Sequence, residues 1–319
     1  LFLYFRTILI MLVTLYTSRV VLNTLGVEDF GVYNAVGGVV SMFAVISGAL
    51  SNAISRYITY GLGKGDKEKL KMIFCTSVNI QIIIALIIFV LCEIVGLWFL
   101  NSRMNIPEDR LVAANWVLHC SLLTFVVNLI SVPYNACIIA HEHMNAYAYI
   151  SIFDAILKMS VAYLLIVSPV DKLIAYSVLL FVTALGVRLL YGFYCGRHFK
   201  ECKYKPIYDR VLFKEMMGFA GWNFFGNATS VLNIQGVNIL INVFFGVVAN
   251  SARGIASQID AAVNQLVVTF TTAVNPQITK SYAQGDSQRL NYLVCKGAKF
   301  SFFLLLLFAV PLFFEADTI

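Results

Sequence analysis

Ionisable side chains inside long apolar runs are where this sequence could do chemistry. A charge at the centre of a bilayer costs at least about 2.5–3.5 kcal/mol, so it stays only where it faces a cavity or a partner. Seven residues qualify: Arg6, Arg19, Glu93, Asp154, Lys158, Arg188 and Asp260. Lys158 stands near the middle of an apolar run, about 15 Å of helix from either end, beyond its reach to headgroups. Asp154 is one helical turn earlier. Two readings stay open: a self-neutralising i,i+4 pair that holds the fold, or a cation with an acid switch facing a lumen. Arg188 lies roughly 11 Å from the end of its run, so snorkelling and a lumen role both fit. At 100° per residue Arg6 and Arg19 point about 140° apart and cannot both face one cavity. Either of them could snorkel. Glu93, near Trp98, reads as an interface residue.

Amides form a second class. Asn223, Asn227, Asn238 and Asn242 fall within about 60° of one direction on a helix. Such a row is either interhelical hydrogen-bond glue or one wall of a water-filled lumen, and its length favours the lumen. The next run carries Ser257, Asp260, Asn264 and Thr271 along a comparable stripe. Asp260 is the titrating candidate there, as Asp154 is earlier, and these two acids are the candidates for ion coupling.

The elements that must position these residues follow from composition. Of 319 residues, 60% are apolar and 13% charged, against roughly 45–50% and 25% in ordinary soluble domains. Mean hydropathy is +0.80. A soluble monomer is excluded. Apolar runs predict nine crossings, at 2–24, 32–57, 71–98, 111–138, 146–168, 172–195, 215–245, 253–278 and 292–314. Open strands cannot cross lipid with unsatisfied backbone groups, so the fold class is all-α integral membrane. Fifteen of the 23 basic residues fall on one side of these crossings and four on the other, Arg103, Arg110, Lys172 and Arg253. That asymmetry places the first side, and the N-terminus, in the cytoplasm. Trp98, Trp116 and Trp222 lie near predicted interfaces. The second crossing has a face of Gly48, alanines and serines, which predicts close helix packing.

The polar stretch 198–214 separates six helices (1–197) from three (215–319). Beyond it the chain repeats at an offset of 220: Gly65-Asp66, Lys69-Leu70 and Cys75 are matched by Gly285-Asp286, Arg289-Leu290 and Cys295. An even number of crossings gives both parts one orientation, hence a parallel repeat: two helical lobes around a central cavity. A complete second lobe needs three more helices, so the sequence reads as a fragment of a chain with at least twelve.

Several chemistries lack their residues. Gly61-Leu-Gly63-Lys64-Gly65-Asp66 has no preceding strand and no Ser or Thr after the lysine, so it is not a phosphate-cradling loop. No H-E-x-x-H or G-x-S-x-G occurs. The seven cysteines form no C-x-x-C pair and read as small hydrophobes, and the histidines show no ligand spacing. The net charge of +6 reads as membrane asymmetry, not nucleic-acid binding. Neither an enzyme nor a cofactor is indicated.

Tyr16-Thr-Ser-Arg19, then Leu25-Gly26-Val-Glu-Asp29-Phe30-Gly31-Val-Tyr33 leading into a glycine-bearing second helix, resembles the opening of Wzx-type polysaccharide flippases. These belong to the multidrug/oligosaccharidyl-lipid/polysaccharide exporter superfamily. The resemblance implies a bacterial inner-membrane protein moving a polyprenyl-pyrophosphate-linked oligosaccharide, such as an O-antigen or capsule unit, to the outer leaflet by alternating access. Arg6, Arg19, Lys158 and Arg188 then suit the pyrophosphate, the four asparagines suit sugar hydroxyls, and an apolar gap suits the lipid tail. H+ or Na+ and a polysaccharide polymerase are further candidate partners. Multidrug antiporters of the same superfamily are the alternative reading. A membrane glycosyltransferase or polymerase is a third, and it is disfavoured by the short outer loops.

Overall fold

The computed structural model describes residues 2–41, 43–102, 104, 106–206 and 209–314. Side chains are described for these except at 2, 39, 41, 44–45, 308, 311–312 and most positions from 231 to 262. The helices are α1 (Phe2–Ser41), α2 (Ala44–Lys64), α3 (Lys67–Ser102), α4 (Leu111–Ala140), α5 (Met144–Val167), α6 (Lys172–His198), α7 (Arg210–Gln284) and α8 (Ser287–Phe314). Two short 3-10 turns, Glu108–Arg110 and Lys200–Cys202, precede α4 and follow α6. No strand occurs among the described residues. Six described spans are long and apolar enough to cross a membrane: 3–38, 67–102, 108–140, 144–167, 172–198 and 287–307. The other predicted crossings correspond to the end of α1 with α2, and to the two limbs of α7.

Two elements contain a reversal. Inside α1, Gly26 has φ 82° and ψ 169°, a region essentially restricted to glycine. Before it, Thr24 O accepts from Lys172 Nζ at 3.4 Å. After it, Asp29 pairs with Arg110 at 3.1 Å, and Arg110 bonds Asp171 at 2.7 Å. Both sides of Gly26 therefore sit at one end of the molecule. The chain then runs back through Tyr33, packed edge-on to Tyr176, and Phe43, beside Phe125. The crossing predicted as continuous over 32–57 is interrupted at Phe43, where i,i+3 hydrogen bonds join Val40 to Phe43 and Phe43 to Ile46. Hydropathy did not reveal this break, because apolar residues flank it on both sides.

The second reversal lies within α7. Phe219 packs on Tyr57 and Tyr282 on Tyr60, while Ala283 abuts Gly63. From Phe219 to Ala283 a straight helix would measure about 96 Å, whereas Tyr57 and Gly63 are about 9 Å apart. The chain must therefore double back, as the separate runs 215–245 and 253–278 predict.

The offset-220 repeat has a geometric counterpart. Gly65 and Gly285 end their helices in the left-handed conformation, with φ of 74° and 76°. Asp66 and Asp286 then cap the next helices, accepting from Lys69 N at 3.0 Å and Arg289 N at 2.9 Å. Of the stretch 198–214, His198 closes α6 and Arg210 opens α7. Phe199 and Cys202 are buried, and Tyr204 Oη donates to Asn79 on α3 at 2.7 Å.

Large apolar side chains such as Leu86, Ile94, Val167 and Leu189 point outward, as lipid contact allows. With hydrocarbon outside, packing and polar contacts hold helices together more than burial does. The small face of α2 illustrates this: Ala49 and Ala53 are buried and Gly48 lies against α7. Trp98, Trp116 and Trp222 are exposed, and Glu93 pairs with His119 at 2.8 Å.

The turn at Gly26 provides a test. No atom lies within 4 Å of a Cβ added at Gly26 or at the helical Gly31, so only backbone strain distinguishes the two. Gly26→Ala should cost about 1–3 kcal/mol, whereas Gly31→Ala should be neutral or stabilise by up to about 1 kcal/mol. Thermal unfolding midpoints in detergent should rank Gly31→Ala at or above wild type and Gly26→Ala below it.

Candidate functional site

Helices α1, α4, α5 and α6 enclose a cavity of about 640 Å³. On α4, residues Thr124, Asn128, Ser131 and Asn135 are spaced 4, 3 and 4 apart, so one face of that helix is polar. The first limb of α1 adds Thr14, Thr17 and Ser18, and the returning limb adds Tyr33 and Asn34. Tyr176 and Tyr191 come from α6, and Ser151, Asp154 and Lys158 from α5. Thr17 Oγ1, Thr124 Oγ1 and Asn135 Oδ1 are shielded and have no hydrogen-bond partner among the described residues. Shielded polar atoms without partners are costly, and here they border a space large enough for a polar ligand.

Lys158 Nζ donates to Asp154 Oδ2 at 2.8 Å on the cavity wall, with the Lys158 side chain 52% exposed. Both sequence readings of this pair therefore describe one arrangement: the charges neutralise each other and both border the cavity. Arg6 lies beside the cavity. Its guanidinium sits 4.5 Å over the Tyr147 ring, and Tyr191, on the wall, is within electrostatic reach of both Arg6 and Asp154. Arg6 Nε and Nη1 are shielded, with no hydrogen-bond partner among the described residues. A guanidinium stacked on an aromatic face keeps its edge donors available for an anion.

The remaining predicted residues lie elsewhere. Arg188 is half-buried, 3.8 Å over the Tyr134 ring, so it packs between α6 and α4. Arg19 is exposed and off the cavity wall. Asn223 donates to Phe219 O at 2.8 Å, and the Asn227 amide nitrogen lies 4.0 Å from a Cβ built on Gly48. The described part of the asparagine row thus includes a contact with α2. The side chains of Asn238 and Asn242 lie outside the described residues. Asp260 is exposed and accepts from Asn264 Nδ2 at 2.9 Å.

Sequence reasoning passed over the α4 stripe. Its signal is four uncharged polar residues at helical spacing, a pattern that interhelical hydrogen-bonding faces share. Among the described residues no group of His, Cys, Asp and Glu is arranged to hold a metal ion.

Residues 1–282 match the family described as Polysaccharide biosynthesis protein. The chain belongs to this family. A similar member of the curated proteins is EpsK of Bacillus subtilis (strain 168), described as an uncharacterized membrane protein. It is 21% identical over 297 residues, covering 92% of this chain and 58% of EpsK. The chain therefore spans less than two thirds of that relative's length. Among solved structures, an outward-facing multidrug resistance MATE family transporter of the MOP superfamily aligns with a TM-score of 0.79 at 13% identity, covering 98% of this chain and 70% of that one. A MOP superfamily transporter from Pyrococcus furiosus aligns with a TM-score of 0.79 at 14% identity, covering 99% and 71%. A MATE structure in the straight conformation gives 0.83 at 12% identity, covering 99% and 72%. This polysaccharide biosynthesis family member thus has the MATE-like transporter fold, an integral membrane architecture of helices.

The family member's cavity can be probed with thiols. Six of its cysteines are buried and Cys295 is exposed, so Cys295→Ser supplies a quiet background. In that background Asn128→Cys should react with a charged, membrane-impermeant thiol reagent from one face of the membrane. Leu189→Cys, at a position 71% exposed on the apolar outside, should not. Equal labelling of both would contradict a hydrated cavity.

Proposed function

We propose that this chain is part of a flippase that moves a polyprenyl-pyrophosphate-linked oligosaccharide from the inner to the outer leaflet of the bacterial cytoplasmic membrane by alternating access. Residues 1–197 form one lobe, 198–214 the connection, and 215–319 part of a second lobe. The end carrying Lys64, Lys67, Lys205 and Lys280 faces the cytoplasm, with the N-terminus, because fifteen basic residues gather there.

The observation that carries the reading is Arg6: a shielded guanidinium on Tyr147, with free donors, beside a polar cavity. In this role Arg6 and Lys158 hold the pyrophosphate, the first through its planar donor edge and the second as a compact charge. Arg19, exposed near the opposite end, and Arg188 extend the positive field, and the amides of Asn223, Asn227, Asn238 and Asn242 meet sugar hydroxyls as the lobes rock. Asp154 releases and recaptures Lys158 as the anion arrives and leaves. It is therefore one candidate for coupling to H+ or Na+, and Asp260 is the other. The polyprenyl tail stays in lipid, so the protein needs to cover only the headgroup. A polysaccharide polymerase would take the delivered unit.

One observation bears on the multidrug antiporter alternative. An acid that binds a drug cation must present free charge to the cavity, and here Asp154 is engaged by Lys158 at 2.8 Å. Within the first lobe the inward cations outnumber the acids, because Glu93 is tied to His119. That balance favours an anionic cargo.

Proteoliposomes loaded with a fluorescent polyprenyl-pyrophosphate-linked saccharide provide the direct test. Wild-type protein should expose label to an external quencher, while Arg6→Ala and Lys158→Ala reduce the rate at least about tenfold with protein level unchanged. Arg19→Ala should also impair surface polysaccharide in cells, and Arg19→Lys should retain part of it. Unchanged translocation in both the Arg6 and Lys158 variants would return those residues to structural roles. Drug-cation efflux without lipid translocation would instead establish the antiporter.

A further inference from the structure

Glu142 is the one described non-glycine residue with a positive φ, at 62°. A left-handed glutamate is uncommon and persists only where its surroundings over-determine it. The turn between α4 and α5 is held on both sides. His141 stacks on Phe199 with ring centroids 4.1 Å apart and bonds to Glu201, while His143 Nδ1 meets Tyr194 Oη at 2.9 Å. Burial by itself would raise the Glu201 carboxyl, but the hydrogen bond and charge of His141, with Lys67 nearby, hold it below the usual carboxylate range. The anchor is therefore ionised at neutral pH.

So held, Glu142 reaches across to the far limb of α7. Its Oε1 accepts from Lys280 Nζ at 2.6 Å and its Oε2 from Gln277 Nε2 at 3.3 Å. Beside this pair the helices touch with no clearance. A Cβ on Gly63 would lie 2.6 Å from the Ala283 Cβ and 3.1 Å from Lys280 O, and the Tyr60 and Tyr282 rings are 6.5 Å apart. Gly63 and Ala283 are separated by 220 positions, the repeat offset, so equivalent residues of the two repeats meet each other. At the opposite end, the Asp29–Arg110–Asp171 cluster and the Lys172–Thr24 bond join only parts of the first repeat.

We infer that Glu142 and Lys280 form a latch that holds the basic ends of the two repeats shut around the Gly63–Ala283 contact, and that releasing this ion pair is what lets that end open. Glu142 is a positioning residue that sets the balance between closed and open forms; it does not touch cargo. The inference rests on the two-lobe reading above, but its test needs no substrate, so its failure is separable from failure of the flippase assignment.

The experiment uses the full chain carrying Cys295→Ser with Tyr60→Cys and Tyr282→Cys, treated with a short bismaleimide in native membranes. The parent should cross-link. Glu142→Gln should lower the cross-linked fraction about fivefold, a shift within the usual range of conformational coupling. Glu142→Gly, which relieves the left-handed backbone but also removes the carboxylate, should lower it equally, showing that charge and not strain is what matters. The exchange Glu142→Lys with Lys280→Glu should restore it. If Glu142→Gln fails to fold, Lys280→Gln tests the same bond from the other side. An uncross-linked parent, undiminished cross-linking in the folded single variants, or no recovery in the exchange would each overturn the latch.

Discussion

A charge or amide that enters hydrocarbon must bring its own partner, and this constraint organises the molecule. Backbone groups meet it by forming helices throughout the described chain. Side chains meet it in three ways. Asp154 and Lys158 neutralise each other, Arg188 and Arg6 lie on the faces of Tyr134 and Tyr147, and Asn223 turns back to its own helix. The shielded atoms left without a protein partner among the described residues include the Arg6 donors and the hydroxyl and carbonyl atoms of Thr17, Thr124 and Asn135, alongside others such as the Gln81 amide. These Arg6, Thr17, Thr124 and Asn135 atoms lie in or beside one cavity, where a polar ligand would find donors and acceptors.

The two ends of the molecule are built differently. One end ties the first repeat to itself through Gly26, Asp29, Arg110 and Asp171. The motif that prompted the resemblance to polysaccharide flippases thus has a structural task, a glycine turn and an aspartate that anchors it to α4 and α6. The other end brings the two repeats into contact, with glycine and alanine allowing close approach and Glu142 and Lys280 providing a directional bond. Small residues give close packing between helices, and the ion pair fixes their relative position at that end.

Much of the fold was legible. Long apolar runs and the matched Gly65-Asp66 and Gly285-Asp286 correspond to features of the structure, because membrane thickness and helix capping act on local sequence. The break at Phe43 was not legible, since hydropathy does not distinguish i,i+3 from i,i+4 bonding. The site was only partly so. Asp154 and Lys158 declared themselves by charge at helical spacing. The α4 stripe was hidden because threonine, serine and asparagine are tolerated on many helix faces, and only neighbouring helices show which face borders a cavity.

From its sequence alone this chain is a helical membrane protein with a matched pair of Gly-Asp turns and a handful of charges inside apolar runs, because periodicity, length and charge placement are properties of the chain itself. Which charges share a space is another matter. Asp154 and Lys158 border the cavity while Arg19 lies off its wall, and Glu142 reaches Lys280 across 138 positions of sequence. Those distances depend on how helices cross and where the chain reverses, so only the tertiary structure could decide them.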